Sequence, residues 1–288
     1  MSAAPAPATG LDIHLEGVVQ LYPSDEGDVV ALRGVDLDVA AGEEFALLGP
    51  SGAGKSTVLA LLAGLQRPSA GRIRLGPYDL GRLNSGQLAK LRATEVALVL
   101  QNPARNLLGY ATATQNLEFA QRGARACGQM PPFAPLELLQ RLGMGELAEH
   151  PVSTLSGGEQ QRLAIAAGIA SGPRLLLVDE PTSQVDAVSR DQVIELLRRI
   201  NEDTGATVII VTHDLAVSWS MPRTVTIRDG RVGAEGRRGE DYAVVGRDGS
   251  VQLPTDVLER IPPGTLLQVH RHRSGVDLRD PHLESEED

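Results

Sequence analysis

The octapeptide Gly49-Pro50-Ser51-Gly52-Ala53-Gly54-Lys55-Ser56 constrains this chain more than any other segment. It fits the pattern G-x-x-x-x-G-K-[ST], and it stands between a continuous apolar run at 45–48 and an apolar stretch that continues to residue 65. A strand, a glycine-rich loop and a helix in that order make a cradle for phosphate. The glycines let successive backbone N–H groups turn inward, and the helix N-terminus adds the positive end of its dipole. Lys55 is then placed to reach the β and γ phosphates of a nucleotide, Ser56 to offer a hydroxyl to magnesium, and Thr57 to follow in the same segment.

The rest of the chain supplies the sheet that such a loop requires. The runs 45–48, 96–100, 175–178 and 208–211 are apolar throughout, as expected of parallel strands buried on both faces. Helical stretches at 56–65, 160–170 and 189–201 separate them, which predicts a doubly wound α/β domain with its ligands at the carboxyl ends of the strands. From Val29 to Val39 apolar and polar residues alternate instead, predicting half-exposed antiparallel strands in a peripheral sheet. Residues 102–172 read as a helical subdomain inserted into the core, broken by Met130-Pro131-Pro132 and by glycines at 143 and 145.

A phosphate loop needs a second contact to magnesium. The run Leu175-Leu176-Leu177-Val178-Asp179 ends in a carboxylate at the edge of a buried strand, which is the Walker B arrangement. Glu180 follows at once and is the candidate general base, able to polarise a water against the γ phosphate. These elements are common to adenylate-type kinases, GTPases and many other P-loop NTPases, so they define only that broad class.

The segment Leu155-Ser156-Gly157-Gly158-Glu159-Gln160-Gln161-Arg162 narrows it. A serine and two glycines leading into a helix form a second anion site of the same physical kind as the first. The segment resembles the signature of the ABC ATPase family, and the other motifs follow in that family's order. The resemblance covers about 11–235. It implies that two subunits face head to tail, each ATP held between one subunit's phosphate loop and the Ser156, Gly157 and Gly158 loop of the other. It further implies that Gln101 senses magnesium and the attacking water, that His213 contacts the γ phosphate, and that Tyr22 stacks on adenine. Asp186 matches the D-loop aspartate, although Gln184 and Val185 stand where the family more often has small residues or leucine. The segments ALRGVDLDVAAGE and QNPARNLL resemble the branch serving lipoprotein-release, macrolide-efflux and cell-division permeases. Residues 102–108 are then expected to meet the permease.

The fold expected from the resemblance is an α/β P-loop core with a parallel central sheet flanked by helices, an antiparallel β subdomain and an inserted helical subdomain. The function is that of an ATP- and magnesium-dependent subunit, homodimeric or heterodimeric, driving a separate membrane permease from the cytoplasmic face of the plasma membrane. The alternatives are a soluble family member acting in translation or DNA repair, and a small-molecule kinase. Translation-type relatives usually carry two cassettes and repair-type relatives long coiled-coil insertions, whereas this chain shows one motif set and no such insertion. A kinase leaves Ser156 and His213 unexplained.

Composition agrees. With 288 residues, 42% of them apolar, the chain can bury a large core. No run approaches the roughly 18 apolar residues of a membrane span. The net charge of -10 argues against nucleic acid as a partner. Cys127 is the single cysteine and is expected as small filler, with no disulfide and no metal-ligand cluster. His14, His150 and His282 are expected at the surface, as is the basic cluster 270–273.

Residues 1–10 read as a disordered leader without a secretion signal, 11–236 as the ATPase domain, 237–279 as a small α+β C-terminal appendage and 280–288 as an acidic tail. In the appendage, strands are expected at 242–245, 251–253 and 266–269 and a short helix at 256–260. That order resembles a swapped-hairpin module, implying a regulatory or dimer-supporting tail or a stabilising extension.

Overall fold

The structure is a computed structural model that describes residues 10–279 except 26, 184, 215, 218–219, 238–239, 247–248, 252, 254–256, 258–260, 263 and 274. The expected leader at 1–9, the tail at 280–288 and most of the expected helix at 256–260 lie outside the described residues.

The chain opens with two long antiparallel strands, β1 (Ile13–Tyr22) and β2 (Val29–Val39), and then enters the core with β3 (Glu44–Leu48). Helix α1 (Lys55–Leu62) leads back to β4 (Ala70–Leu75) and β5 (Tyr78–Asp79). Helix α2 (Ser85–Thr94) precedes β6 (Val96–Val99). A helical stretch follows with α3 (Ala113–Ala126), α4 (Pro135–Arg141) and α5 (Gly157–Ile169). The core resumes with β7 (Leu175–Asp179), α6 (Ala187–Thr204) and β8 (Thr207–Thr212). It ends with β9 (Arg223–Arg228), β10 (Arg231–Arg237) and β11 (Glu240–Ala243). A separate hairpin of β12 (Gln268–His272) and β13 (Gly275–Arg279) closes the described chain.

These strands form a four-stranded antiparallel sheet, β2-β1-β4-β5, and a seven-stranded sheet, β11-β10-β9-β3-β8-β7-β6. In the larger sheet β9, β3, β8, β7 and β6 run parallel, and β10 and β11 return antiparallel at one edge. The sequence did not point to β9 or β10. Their two-residue connection, Asp229-Gly230, has φ of 49° and 72°, the pair of positive values that a type I′ hairpin turn demands and that Asp-Gly favours. Strand β11 opens within 237–279, and it extends the edge of the large sheet by pairing with β10.

Strand periodicity explains why the central runs are apolar throughout. Phe45, Leu47, Leu175, Leu177, Ile209 and Val211 point into one core, shared with α1 and the antiparallel sheet. Ala46, Leu176, Val178, Val208 and Ile210 point into a second, shared with α3 to α6. Each side chain is buried, and full burial of a leucine or isoleucine stabilises by about 1.5–3 kcal/mol. A two-faced core of this kind holds the carboxyl ends of β3, β6, β7 and β8 in rigid register, and those ends carry the loops of interest.

The inserted region contains helices and 3₁₀ turns and, among the described residues, no strand, apart from the isolated bridge between Thr112 and Pro151. Helix α3 starts on a capping box: the Thr112 hydroxyl accepts from Gln115 N while the Gln115 side chain accepts from Thr112 N. Cys127 is exposed at the end of α3 rather than serving as buried filler. In the C-terminal part, Val245 and Val251 form a bridge and β12 pairs with β13.

Candidate functional site

The phosphate loop leaves β3 and enters α1 as the motif requires. Two of its glycines are there for space. Gly49 has φ of 156°, and a Cβ there would overlap the carbonyl oxygen of Ile227. Gly54 has φ of 103°, a left-handed value, and a Cβ would lie 2.7 Å from the Ala31 carbonyl oxygen. Pro50, Ser51, Gly52 and Ala53 span the turn between them, with Ala53 N donating to Pro50 O at 3.3 Å. The Lys55 ammonium, almost buried, folds over this turn and donates to the carbonyls of Gly49 at 2.5 Å and Pro50 at 3.0 Å. It also stands 4.0 Å from Oε1 of Glu180.

Asp179 is the last residue of β7. Burial pushes its carboxyl above the ordinary aspartate range and the neighbouring Glu180 adds to this, while Lys55 and a hydrogen bond with Ser56 pull the other way. Ser56 and Asp179 therefore present two hard oxygen donors side by side, the donor set that magnesium prefers. A cation there would also relieve the cost of keeping a buried carboxylate ionised beside a second one.

Glu180 has φ of 45°, a left-handed conformation for a residue with a Cβ, held by its N–H donating to Val211 O at 2.8 Å. That bond crosses from β7 to β8 and turns the Glu180 side chain back over the strand ends. Oε1 lies 2.8 Å from Nδ1 of His213, the residue that follows β8. Oε2 is buried with no hydrogen-bond partner among the described residues. A buried carboxylate oxygen in that state is costly unless something else comes to meet it.

Gln101 follows β6, whose neighbour in the sheet is β7. Its amide Nε2 donates to the Ser183 hydroxyl at 3.1 Å, and that hydroxyl donates to the Glu180 carbonyl at 3.1 Å. Tyr22, at the end of β1, donates to Gln66 Oε1 at 2.7 Å and reaches Thr57 Oγ1 at 3.5 Å. The structure thus groups Tyr22, residues 49–57, Gln101, Asp179, Glu180 and His213 along one edge of the central sheet.

Ser156, Gly157, Gly158 and Asp186 form a second group on α5 and α6. Ser156 caps α5: its N–H and hydroxyl both donate to Glu159 Oε2, at 2.8 and 2.7 Å, and its hydroxyl accepts from Glu159 N at 3.3 Å. These bonds hold the Glu159 carboxyl below the usual glutamate range. The spacing S-x-x-E from Ser156 to Glu159 is the local signature that such a box leaves in a sequence. Asp186 caps α6 in turn, accepting from Ser189 N at 2.9 Å and from the Ser189 hydroxyl at 3.1 Å, which keeps its carboxyl low as well. A Cβ on Gly158 would sit 2.8 Å from Ser189 Oγ, so the two helix starts meet where glycine leaves room. Ser183, Ser189 and Glu159 were not singled out as site residues in the sequence, because their partners come from tertiary packing or from caps.

Known proteins resemble this chain over most of its length. The profile of the family described as ABC transporter matches residues 32–183. The chain is 39% identical over 232 residues to the lipoprotein-releasing system ATP-binding protein LolD of Anaeromyxobacter dehalogenans (strain 2CP-C), covering 78% of this chain and 93% of that protein. It is 41% identical over 233 residues to the macrolide export ATP-binding/permease protein MacB 1/2 of Paracoccus denitrificans (strain Pd 1222). That match covers 80% of this chain but only 34% of the relative, so this chain spans about a third of the macrolide-export protein's length. Among solved structures, the dimeric bacterial ABC transporter cassette MJ0796 aligns with a TM-score of 0.69 at 32% identity, covering 78% of this chain and 98% of the cassette. A post-hydrolysis dimer of MJ0796 bound to ADP and Pi aligns at 0.67. The chain belongs to the ABC transporter family, as one of its ATP-binding, ATP-hydrolysing subunits.

Proposed function

We propose that two such subunits close head to tail on ATP, each nucleotide lying between Lys55 with its loop on one side and the partner's Ser156 loop on the other, and that closure drives a membrane permease. The observation that carries this is the Glu180 carboxylate: Oε1 lies 2.8 Å from His213 Nδ1 and 4.0 Å from Lys55 Nζ, and Oε2 is buried with no hydrogen-bond partner among the described residues.

In this reading Lys55 leaves the Gly49 and Pro50 carbonyls for the β and γ phosphates. Glu180 Oε2 takes a proton from the attacking water as its oxygen bonds to the γ phosphorus, and the bond to the β–γ bridging oxygen breaks to release ADP. His213 fixes the carboxylate through Oε1, so that Oε2 is the atom left to receive the proton. Magnesium, with Ser56, Asp179 and Gln101 as its protein ligands, supplies charge neutralisation at the phosphates when bound. Tyr22 gives the adenine a π face, and Asp186 links the two nucleotide sites. A dimer that hydrolyses in this way releases its grip after each cycle, which is the motion a permease can use.

The relatives named for lipoprotein release and macrolide export support the same branch for this chain. The described residues contain no helix long and apolar enough to cross a membrane. We take the permease to be carried on a separate chain that meets residues 102–108 from the cytoplasmic face, and the ATPase pair to be a homodimer or a heterodimer. The net charge of -10 supports no nucleic-acid partner. Purification of the tagged protein from its own cells in mild detergent tests this. A stoichiometric integral-membrane partner supports it, and ribosomes or DNA-repair proteins in its place would contradict it.

A further inference from the structure

Parallel pairing of β6 with β7 sets Val99 opposite Val178, so the residues that leave the two strands do so side by side. Gln101 leaves one and the turn 180–183 leaves the other. Across this junction Gln101 Nε2 donates to Ser183 Oγ at 3.1 Å, although the residues are 82 apart in sequence. The same hydroxyl donates to the carbonyl oxygen of Glu180 at 3.1 Å, and the Ser183 N–H reaches that oxygen at 3.3 Å. Glu180 is also the residue with the left-handed φ of 45°, whose N–H is held by Val211 O.

We propose that Ser183 is a positioning residue for Glu180 and the link through which Gln101 acts on it. One hydroxyl uses its proton on the Glu180 carbonyl and its lone pair on the Gln101 amide, so it can serve both only while the two loops stay in this register. Loss of the hydroxyl frees Gln101 from the Glu180 turn and removes one of the two donors on the Glu180 carbonyl, leaving a strained peptide with fewer restraints. The carboxylate then samples orientations away from the one held by His213 and 4.0 Å from Lys55, and the chemical step slows while nucleotide binding, which rests on the Lys55 loop, is unchanged. The inference rests on the reading of Glu180 as the base.

Steady-state ATP hydrolysis by the purified full-length protein and its variants separates the possibilities. Ser183→Ala is expected to lower kcat about tenfold with KM for ATP within about twofold of the parent. Ser183→Thr, which keeps the hydroxyl, is expected to retain at least about half of the parent kcat. In a double-mutant cycle, Gln101→Ala added to Ser183→Ala is expected to lower kcat by less than the product of the two single effects, because both break one chain of hydrogen bonds. Parental kcat in Ser183→Ala, loss in Ser183→Thr equal to that in Ser183→Ala, or strictly multiplicative effects would each overturn the proposal. Glu180→Gln is measured alongside: normal turnover there defeats the base assignment itself, whereas an inactive Glu180→Gln with a fully active Ser183→Ala defeats only the role of Ser183.

Discussion

Nδ1 of His213 lies 2.8 Å from Oε1 of Glu180, across the boundary between β8 and β7, and the second, buried oxygen of Glu180 has no hydrogen-bond partner among the described residues. On the proposed mechanism, replacing Glu180 by glutamine keeps the shape and removes the proton acceptor. Turnover is expected to fall by at least about 100-fold while ATP is still bound, as seen by single-turnover hydrolysis set beside nucleotide-binding titration. His213→Ala is expected to reduce kcat by a smaller factor, because it orients the carboxylate without receiving the proton.

The phosphate loop depends on a backbone that only glycine adopts at Gly54. At φ of 103°, and with the Ala31 carbonyl 2.7 Å from where a Cβ would sit, Gly54→Ala forces the loop away from β2. The cost is about 1–3 kcal/mol of stability together with loss of ATP affinity. Gly52, at φ of 80° with nothing among the described residues within 4 Å of a Cβ there, lacks the steric part of that penalty, so Gly52→Ala is expected to cost less. Thermal unfolding with and without nucleotide checks both.

Ser156 holds two roles that a pair of substitutions separates. It caps α5 in a reciprocal box with Glu159, so Ser156→Ala is expected to cost about 1 kcal/mol. Ser156→Asp keeps a capping oxygen for Glu159 N but sets a second carboxylate beside Glu159 Oε2, so its loss of stability is expected to be about as large as that of Ser156→Ala, about 1 kcal/mol. On the proposed head-to-tail closure its negative charge would face the γ phosphate of the partner's nucleotide. ATP-dependent dimerisation is therefore expected to be lost in Ser156→Asp although the monomer stays folded, as light scattering and denaturant titration would report.

His14 on β1 bridges two aspartates, with Nδ1 2.6 Å from Asp38 and Nε2 2.9 Å from Asp12. The hydrogen bond to Asp38 is the main reason its pKa is raised, with burial opposing and Asp12 assisting. A histidine whose folded pKa lies above its unfolded value stabilises the fold below the unfolded pKa, and that contribution disappears as pH rises through the folded pKa. His14→Gln is therefore expected to lower Tm by about 1–3 °C near pH 6 and by less near pH 9. An equal effect at both pH values would show that protonation of His14 has no part in holding β1 to β2.

The parts of the fold legible in the sequence share one physical trait: their signal is local. Runs such as 175–178 and 208–211 are apolar on both faces because alternate residues enter two different cores, and a short continuous run records that directly. The octapeptide 49–56 is likewise local, since its strand, loop and helix are contiguous. Hairpin β9–β10 escaped notice although Asp229-Gly230 marks its turn, because Arg223, Thr224, Thr226 and Arg228 make its strands too polar to read as core. The bond from Gln101 to Ser183 had no local signature at all, for it exists only because β6 and β7 are neighbours in the sheet. Cys127 was expected inside and lies exposed, since it follows the last turn of α3, where the chain turns through Gly128 at φ of 82°.

The central claim is that ATP joins two copies of this site, and sedimentation of the Glu180→Gln variant with magnesium and ATP tests it most directly. The account predicts a dimer holding two ATP molecules that returns to monomer when the nucleotide is replaced by ADP or when Lys55→Ala is combined with Glu180→Gln. A variant that binds ATP with full occupancy and remains monomeric at every protein concentration would contradict it.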